Sequence, residues 1–90
     1  MKRLKWYQLA AEQGSGKAQS NLGLMYRKGE GVAQDNVLAH MWLNLAASRL
    51  PPGEERDKAV RNRDEVAEEM TPDQIVEAQR LARQWKSKAQ

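Results

Sequence analysis

Apolar residues recur along much of the chain at intervals of three or four, a spacing that places their side chains on one face of an α-helix. Turns containing glycine or proline interrupt this pattern. Valine, isoleucine and threonine, which favour strands, are few, and strong helix formers dominate the chain. The pattern therefore predicts an all-α fold of about five helices, over residues 2–13, 17–28, 36–48, 53–69 and 72–86.

Several predicted helix ends carry capping residues. Gly29 and Gly31 follow the second helix, and glycine readily adopts the positive φ of a C-terminal cap. Asp35 precedes the third helix and predicts an N-cap whose carboxylate accepts a backbone hydrogen bond. Thr71 and Gln74 predict a capping box at the start of the fifth helix.

Each predicted helix has an apolar face that we expect to be buried. Leu22, Tyr26 and Trp42 are expected to pack together between the second and third helices. Small residues are expected to let these two helices approach closely, namely Ala18, Gly23, Ala39 and Ala46. The other predicted inward positions are Trp6, Leu9 and Ala10 in the first helix, Met25 in the second, Leu38, Met41 and Leu45 in the third, Ala59, Val60, Val66, Ala67 and Met70 in the fourth, and Ile75, Ala78, Leu81, Ala82 and Trp85 in the fifth.

Tryptophan recurs at corresponding places in the sequence. Trp6 aligns with Trp42 when the chain is shifted by 36 residues, and Leu9 and the following alanine pair align with their counterparts by the same shift. Leu38-Ala39-x-x-Trp42 recurs 43 residues later as Leu81-Ala82-x-x-Trp85. Units of this length, with two helices each, are typical of helical solenoids.

Composition narrows the class of protein further. With 90 residues, the chain is expected to form one small domain without a large enclosed substrate cavity. The lack of cysteine excludes disulfides, thiol catalysis and cysteine-ligated zinc. The sequence contains neither the ~20 apolar residues of a membrane span nor the apolar run of a signal peptide. We therefore expect a cytoplasmic protein, or a secreted or periplasmic one if the chain is a fragment.

Charge and single reactive residues give little support for catalysis or nucleic-acid binding. The formal net charge of +3 is too small to indicate a nucleic-acid partner. His40 is the only histidine, has no second ligand at a metal-binding spacing, and is expected at the surface or an edge. In the fourth helix, the ion pairs Asp57–Arg61 and Arg61–Glu65 are expected on a solvated face. We expect no enzymatic activity, no metal ion and no cofactor.

A series of marker residues connects the second and third helices: Ala18, Leu22-Gly23, Tyr26, Gly29-x-Gly31-Val32, Asp35, Ala39, Trp42 and Ala46-Ala47. This series resembles one full unit of the Sel-one-like repeat (SLR) family, a relative of the tetratricopeptide repeats. By the same resemblance, a single domain over residues 1–90 contains the end of a partial repeat in 1–14, a full repeat in 15–50 and a divergent C-terminal repeat in 51–87.

The resemblance implies antiparallel helix-turn-helix repeats in a short right-handed α–α superhelix, or solenoid. It also implies a scaffold or adaptor that binds a protein or peptide partner on a concave face lined by the second and fourth helices. The candidate contacts are the residues of the second helix outside its packing stripe: Lys17, Ser20, Asn21, Leu24, Arg27 and Lys28. The alternative is a homodimer, in which a second copy covers the apolar surface of the first helix: Leu4, Trp6, Tyr7 and Leu9.

Overall fold

The fold consists of five α-helices. The computed structural model describes residues 2–87, with α1 (Lys2–Glu12), α2 (Gly16–Lys28), α3 (Asn36–Arg49), α4 (Glu54–Ala67) and α5 (Pro72–Gln84). Within these residues there is no strand, and the predicted all-α fold is confirmed. None of the helices described is long and apolar enough to cross a membrane. α4 ends earlier than predicted because residues 68–70 form a turn before the cap of α5.

The predicted caps are present. Asp35 Oδ1 accepts a hydrogen bond from a backbone N–H in the first turn of α3, at 3.0 Å. Thr71 Oγ1 accepts from the Gln74 N–H at 3.1 Å, and Gln74 Oε1 accepts from the Thr71 N–H at 2.9 Å. Gly29, the C-cap of α2, has φ 73°, and Gly31 has φ 75°. These local interactions explain why the sequence predicts the helix boundaries well.

α3 is the central helix, because it packs against α2, α4 and α5. Ala39, Leu43 and Ala46 of α3 have no exposed surface. At Gly23 of α2, a Cβ atom would lie 2.8 Å from Leu43 Cγ and 3.1 Å from the Ala39 carbonyl oxygen. The lack of a side chain at Gly23 therefore allows α2 and α3 to pack closely, as the small residues predict.

One core cluster joins α1, α2 and α3. It contains Leu22 and Trp42, with Tyr26 partly buried against it, so the predicted packing of these three side chains is confirmed. Trp85, the C-cap of α5, lies edge-on to Trp42 with ring centroids 5.9 Å apart. The Arg49 guanidinium lies 5.2 Å from the centroid of the Trp85 ring. These contacts attach the end of α5 to the cluster.

The inward face predicted for α1 is wrong in two of its three residues. Trp6 is 65% exposed and Leu9 is 55% exposed. The inner face instead contains Ala11, which is fully buried, with Leu4 and Tyr7 partly buried beside it. α1 packs mainly on α2, so only one side of it is covered, whereas α3, which carries the aligned tryptophan, is covered by three helices.

Candidate partner-binding site

α2 divides its side chains between the core and an outer face. The buried residues are Ala18, Gln19, Leu22, Gly23 and Met25. Gln19 Nε2 donates a hydrogen bond to the Ala11 carbonyl oxygen at 3.1 Å, which joins α2 to α1. The residues that α2 keeps out of the core include Lys17, Ser20, Asn21 and Leu24. Packing beneath α2 therefore determines which of its side chains face outward.

A groove of about 240 Å³ lies between α2 and α4. α2 and α4 both pack on α3 and only slightly on each other, so a space remains between their outer surfaces. We name this space the α2–α4 groove. Its lining residues are Lys17, Ser20, Asn21, Leu24, Leu50, Glu55, Lys58 and Asn62. The structure thus brings together four of the six residues predicted as partner contacts.

A second groove, of about 280 Å³, lies on the other side of α2. We name it the α1–α2 groove, and its lining residues are Trp6, Tyr7, Ser15, Lys17, Ala18 and Asn21. Lys17 and Asn21 line both grooves and so form the crest between them. Both volumes lie below the roughly 300–1,000 Å³ of typical small-molecule sites. Each groove therefore suits a few side chains of a partner better than an enclosed substrate.

The other two predicted contacts, Arg27 and Lys28, do not line either groove. Arg27 Nη1 lies 3.1 Å from Glu65 Oε1 of α4, and Lys28 is exposed at the end of α2. The predicted pairing of Glu65 with Arg61 is therefore wrong. Within residues 2–87 the predicted Asp57–Arg61 pair is also absent, since both side chains are exposed and such pairs are weak.

The residues that α4 contributes to the groove, Glu55, Lys58 and Asn62, are not among the predicted contacts, although the sequence contains a signal for two of them. Lys17-Ala18-x-x-Asn21 in α2 recurs 41 residues later as Lys58-Ala59-x-x-Asn62 in α4. Ala18 and Ala59 are both buried, while the lysine and asparagine of each motif line the groove. The repeat is easily overlooked because charged side chains dominate α4, and charged side chains are expected simply to face solvent.

His40 lies in the core, so its predicted place at the surface or an edge is wrong. It is 4% exposed and its Nδ1 has no hydrogen-bond partner. Burial lowers the pKa of His40 from its ordinary value of 6.5; nearby Arg63 lowers it further, and Asp64 raises it. The residue aligned with His40 in the 36-residue repeat is Leu4, which signals an apolar position. In the part of the chain that the structure describes, no cluster of three or more His, Cys, Asp or Glu could hold a metal ion.

Comparison with protein families agrees with this arrangement of helices. A sequence model of the Sel1 repeat matches residues 4–15 and 16–49, just over half of the chain. Sel1 repeat and Sel-one-like repeat are two names for one repeat family, so the resemblance found in the sequence is confirmed. No curated protein matches the chain. Sel1 repeats generally mediate protein–protein interaction, and the family is typically a non-catalytic scaffold. The chain belongs to the Sel1 repeat family.

Proposed function

We propose that this protein is a scaffold or adaptor that binds a peptide segment of a protein partner across α2, on the face that it forms with α4. One observation carries the proposal: four predicted contacts line a single groove, namely Lys17, Ser20, Asn21 and Leu24. Arg27 and Lys28 lie beyond the groove, toward the C-terminal end of α2. Lys28 would extend the binding surface there, and Arg27 would act through its ion pair with Glu65, which holds α2 beside α4.

The side chains of the α2–α4 groove suit an extended peptide. Ser20, Asn21 and Asn62 can form hydrogen bonds with a peptide backbone, whose N–H and C=O groups lack partners when the peptide is extended. Leu24 and Leu50 add apolar surface for a side chain of the partner. This mixture of apolar and hydrogen-bonding groups supports recognition rather than catalysis.

The domain organisation that we propose has three parts within residues 1–90: a partial repeat in 1–14, a full repeat in 15–50 and a divergent repeat in 51–87. The recurrence of Lys-Ala-x-x-Asn in α2 and α4 supports the assignment of the last part. α2 and α4 would then be equivalent first helices of neighbouring repeats. Such an arrangement explains why the two helices present similar side chains to the same groove.

The test is selection of peptides from a displayed random library on the immobilised whole chain. We expect the wild-type protein to enrich a peptide motif, and Asn21→Tyr to weaken binding of the selected peptides by about tenfold or more. Asn21 lines both grooves, so a tyrosine ring there would obstruct both without changing the charge. The matched control is Val76→Tyr, at a position on α5 that is 60% exposed.

The control variant should bind the selected peptides as the wild type does, and thermal melting should show that both variants remain folded. If the wild type enriches no motif, the proposed function is wrong. It is also wrong if a folded Asn21→Tyr protein binds the selected peptides as tightly as the wild type.

A second candidate function is self-association through α1, which the exposure of Trp6 and Leu9 favours. These two residues are three positions apart and so lie on one side of the helix. Leu4 and Tyr7 pack against the chain's own core, so a homodimer would contact mainly the exposed pair. The proposed interface is therefore narrower than the four residues that the sequence indicates.

Light scattering over a range of protein concentrations tests self-association. Leu9 lines neither groove, so Leu9→Lys should reduce the mass to that of a monomer without affecting peptide binding. Val76→Lys serves as the control for an added charge on exposed apolar surface. A wild-type protein that is monomeric at every concentration would rule out the homodimer.

A further inference from the structure

We infer that the partner peptide carries one acidic side chain that binds in the α2–α4 groove and an apolar side chain, three residues away, that binds in the α1–α2 groove. The inference rests on the proposed function, because it specifies the chemistry of the segment that these grooves bind. The charge of one groove, the exposed aromatic surface of the other and the spacing of the helices support it.

The α2–α4 groove has a surplus of one positive charge, since its charged residues are Lys17, Lys58 and Glu55. Both lysines are exposed, and neither forms an ion pair within residues 2–87. Arg27, by contrast, is paired with Glu65. A single carboxylate of a partner balances this surplus, whereas a strongly acidic segment would be repelled by Glu55.

Two asparagines add hydrogen-bond donors beside the lysines. Asn21 follows Lys17 by four residues and Asn62 follows Lys58 by four, and all four residues line the α2–α4 groove. Residues four apart are neighbours on one side of a helix, so α2 and α4 present the same pair of groups to the groove. An ammonium group attracts a carboxylate, and an amide N–H donates to its oxygen or to an adjacent peptide carbonyl.

The α1–α2 groove has an aromatic wall. Trp6 and Tyr7 both line it, with their ring centroids 5.4 Å apart in an edge-to-face arrangement. The Trp6 side chain is 65% exposed, which leaves a large apolar surface in contact with water. An apolar side chain of the partner would cover this surface, and removal of apolar surface from water favours binding.

The spacing of three residues follows from the width of α2, because Lys17 and Asn21 on its outer side line both grooves. A helix with its side chains is about 10 Å wide, so the grooves on either side of α2 are separated by a similar distance. A peptide in the polyproline II conformation repeats its side-chain direction every third residue, after about 9 Å. Its backbone would cross α2 over Lys17 and Asn21. A side-chain carboxylate reaches down into the groove, whereas a C-terminal carboxylate remains at the level of the backbone.

The peptide side of the test uses a proline-rich probe with blocked termini, which contains one glutamate and one leucine three positions apart. We expect calorimetric titration of the whole chain to show binding, and replacement of the glutamate by glutamine, or of the leucine by serine, to weaken it about tenfold. Moving the leucine one position closer to the glutamate should have a similar effect. Equal binding of these peptides would overturn the inference, as would equal binding of a glutamine peptide that ends in a free carboxylate.

The protein side of the test reverses one charge in the groove. Lys58→Glu should weaken binding of the glutamate peptide and strengthen binding of a peptide with lysine in its place. Arg56→Glu is the matched control, because Arg56 is exposed on the same helix but does not line the groove. No effect of Lys58→Glu, or an equal effect of the control, would overturn the inference. If these predictions fail while Asn21→Tyr still weakens binding of library-selected peptides about tenfold or more, the proposed function stands and this partner chemistry is wrong.

Discussion

His40 couples the stability of the core to pH. Because burial holds its pKa below 6.5 in the folded protein, the unfolded chain binds a proton there more readily. The charged groups that act on it are Arg63 and Asp64 of α4, and the arginine also disfavours the protonated imidazole. The stability associated with neutral His40 is therefore present above the unfolded pKa of 6.5, and is lost as the pH falls through the folded pKa.

We predict that His40→Leu removes this part of the pH dependence. Leucine suits the site because Leu4 occupies the aligned position in α1, and it eliminates the buried Nδ1 that has no hydrogen-bond partner. Urea unfolding from pH 8 to pH 5 should show the wild type losing stability relative to the variant below about pH 6.5. Every other ionisable group is present in both proteins, so the difference between the two curves reports on His40. Parallel curves would contradict the prediction.

Gly23 provides a test of the close packing of α2 against α3. Alanine normally stabilises a helix relative to glycine by about 1 kcal/mol, but its Cβ would lie 2.8 Å from Leu43 Cγ. Leu43 is fully buried and has little room to move. We predict that Gly23→Ala lowers the free energy of unfolding by about 1–2 kcal/mol in a urea titration. The control Ser20→Ala, on the outer face of α2, should change it by less than about 0.5 kcal/mol; a stabilised Gly23→Ala protein would mean that the helices are further apart.

The two aligned tryptophans allow α1 and α3 to be compared directly. Trp42 of α3 is 8% exposed and packs in the core cluster that joins α1, α2 and α3, whereas Trp6 of α1 is 65% exposed. Trp42→Ala should therefore cost about 3–5 kcal/mol, enough to unfold much of so small a domain. Trp6→Ala should cost less than about 1.5 kcal/mol, mainly through its ring contact with Tyr7. Circular dichroism melting measures both, and equal losses would contradict the central position of α3.

Local signals predicted the helices, but the degree of burial depends on distant parts of the chain. Asp35 and Thr71 cap their helices through residues three positions away, so the sequence alone indicates these boundaries. The burial of His40 and the exposure of Trp6 depend instead on how many helices surround α3 and α1. An alignment of apolar positions between repeats does not distinguish a central helix from one that is covered on one side.

The candidate site was predictable only in part for a related reason. Four residues of α2 could be identified because they lie outside its apolar stripe. Their counterparts in α4 follow from the Lys-Ala-x-x-Asn repeat. The repeat alone does not show that the two motifs line one groove, because that depends on how α2 and α4 pack on α3. Arg27 was chosen by the same criterion, and its pairing with Glu65 depends on the position of α4, which periodicity does not give.

The Arg27–Glu65 pair tests whether the spacing of α2 and α4 controls peptide binding. The pair links two helices that otherwise make few direct contacts. Its side chains are 27% and 49% exposed, so solvent screening limits its contribution to stability to at most about 1 kcal/mol. Arg27→Glu would place two carboxylates at the link and push the helices apart. We therefore predict that Arg27→Glu weakens binding of a library-selected peptide about threefold to tenfold. The melting temperature of the protein should change little, so the loss of affinity would not result from unfolding.

The charge-swapped double variant, Arg27→Glu with Glu65→Arg, should restore both affinity and stability, because it recreates the pair in the opposite direction. In 1 M salt, where the screening length is about 3 Å, the penalty of the single variant should shrink. Calorimetric titrations of the wild type, the two single variants and the double variant complete the cycle. If Arg27 instead contacts the peptide itself, the double variant will bind as weakly as Arg27→Glu alone. Recovery of peptide affinity in the double variant therefore distinguishes control of the groove width from direct contact with the peptide.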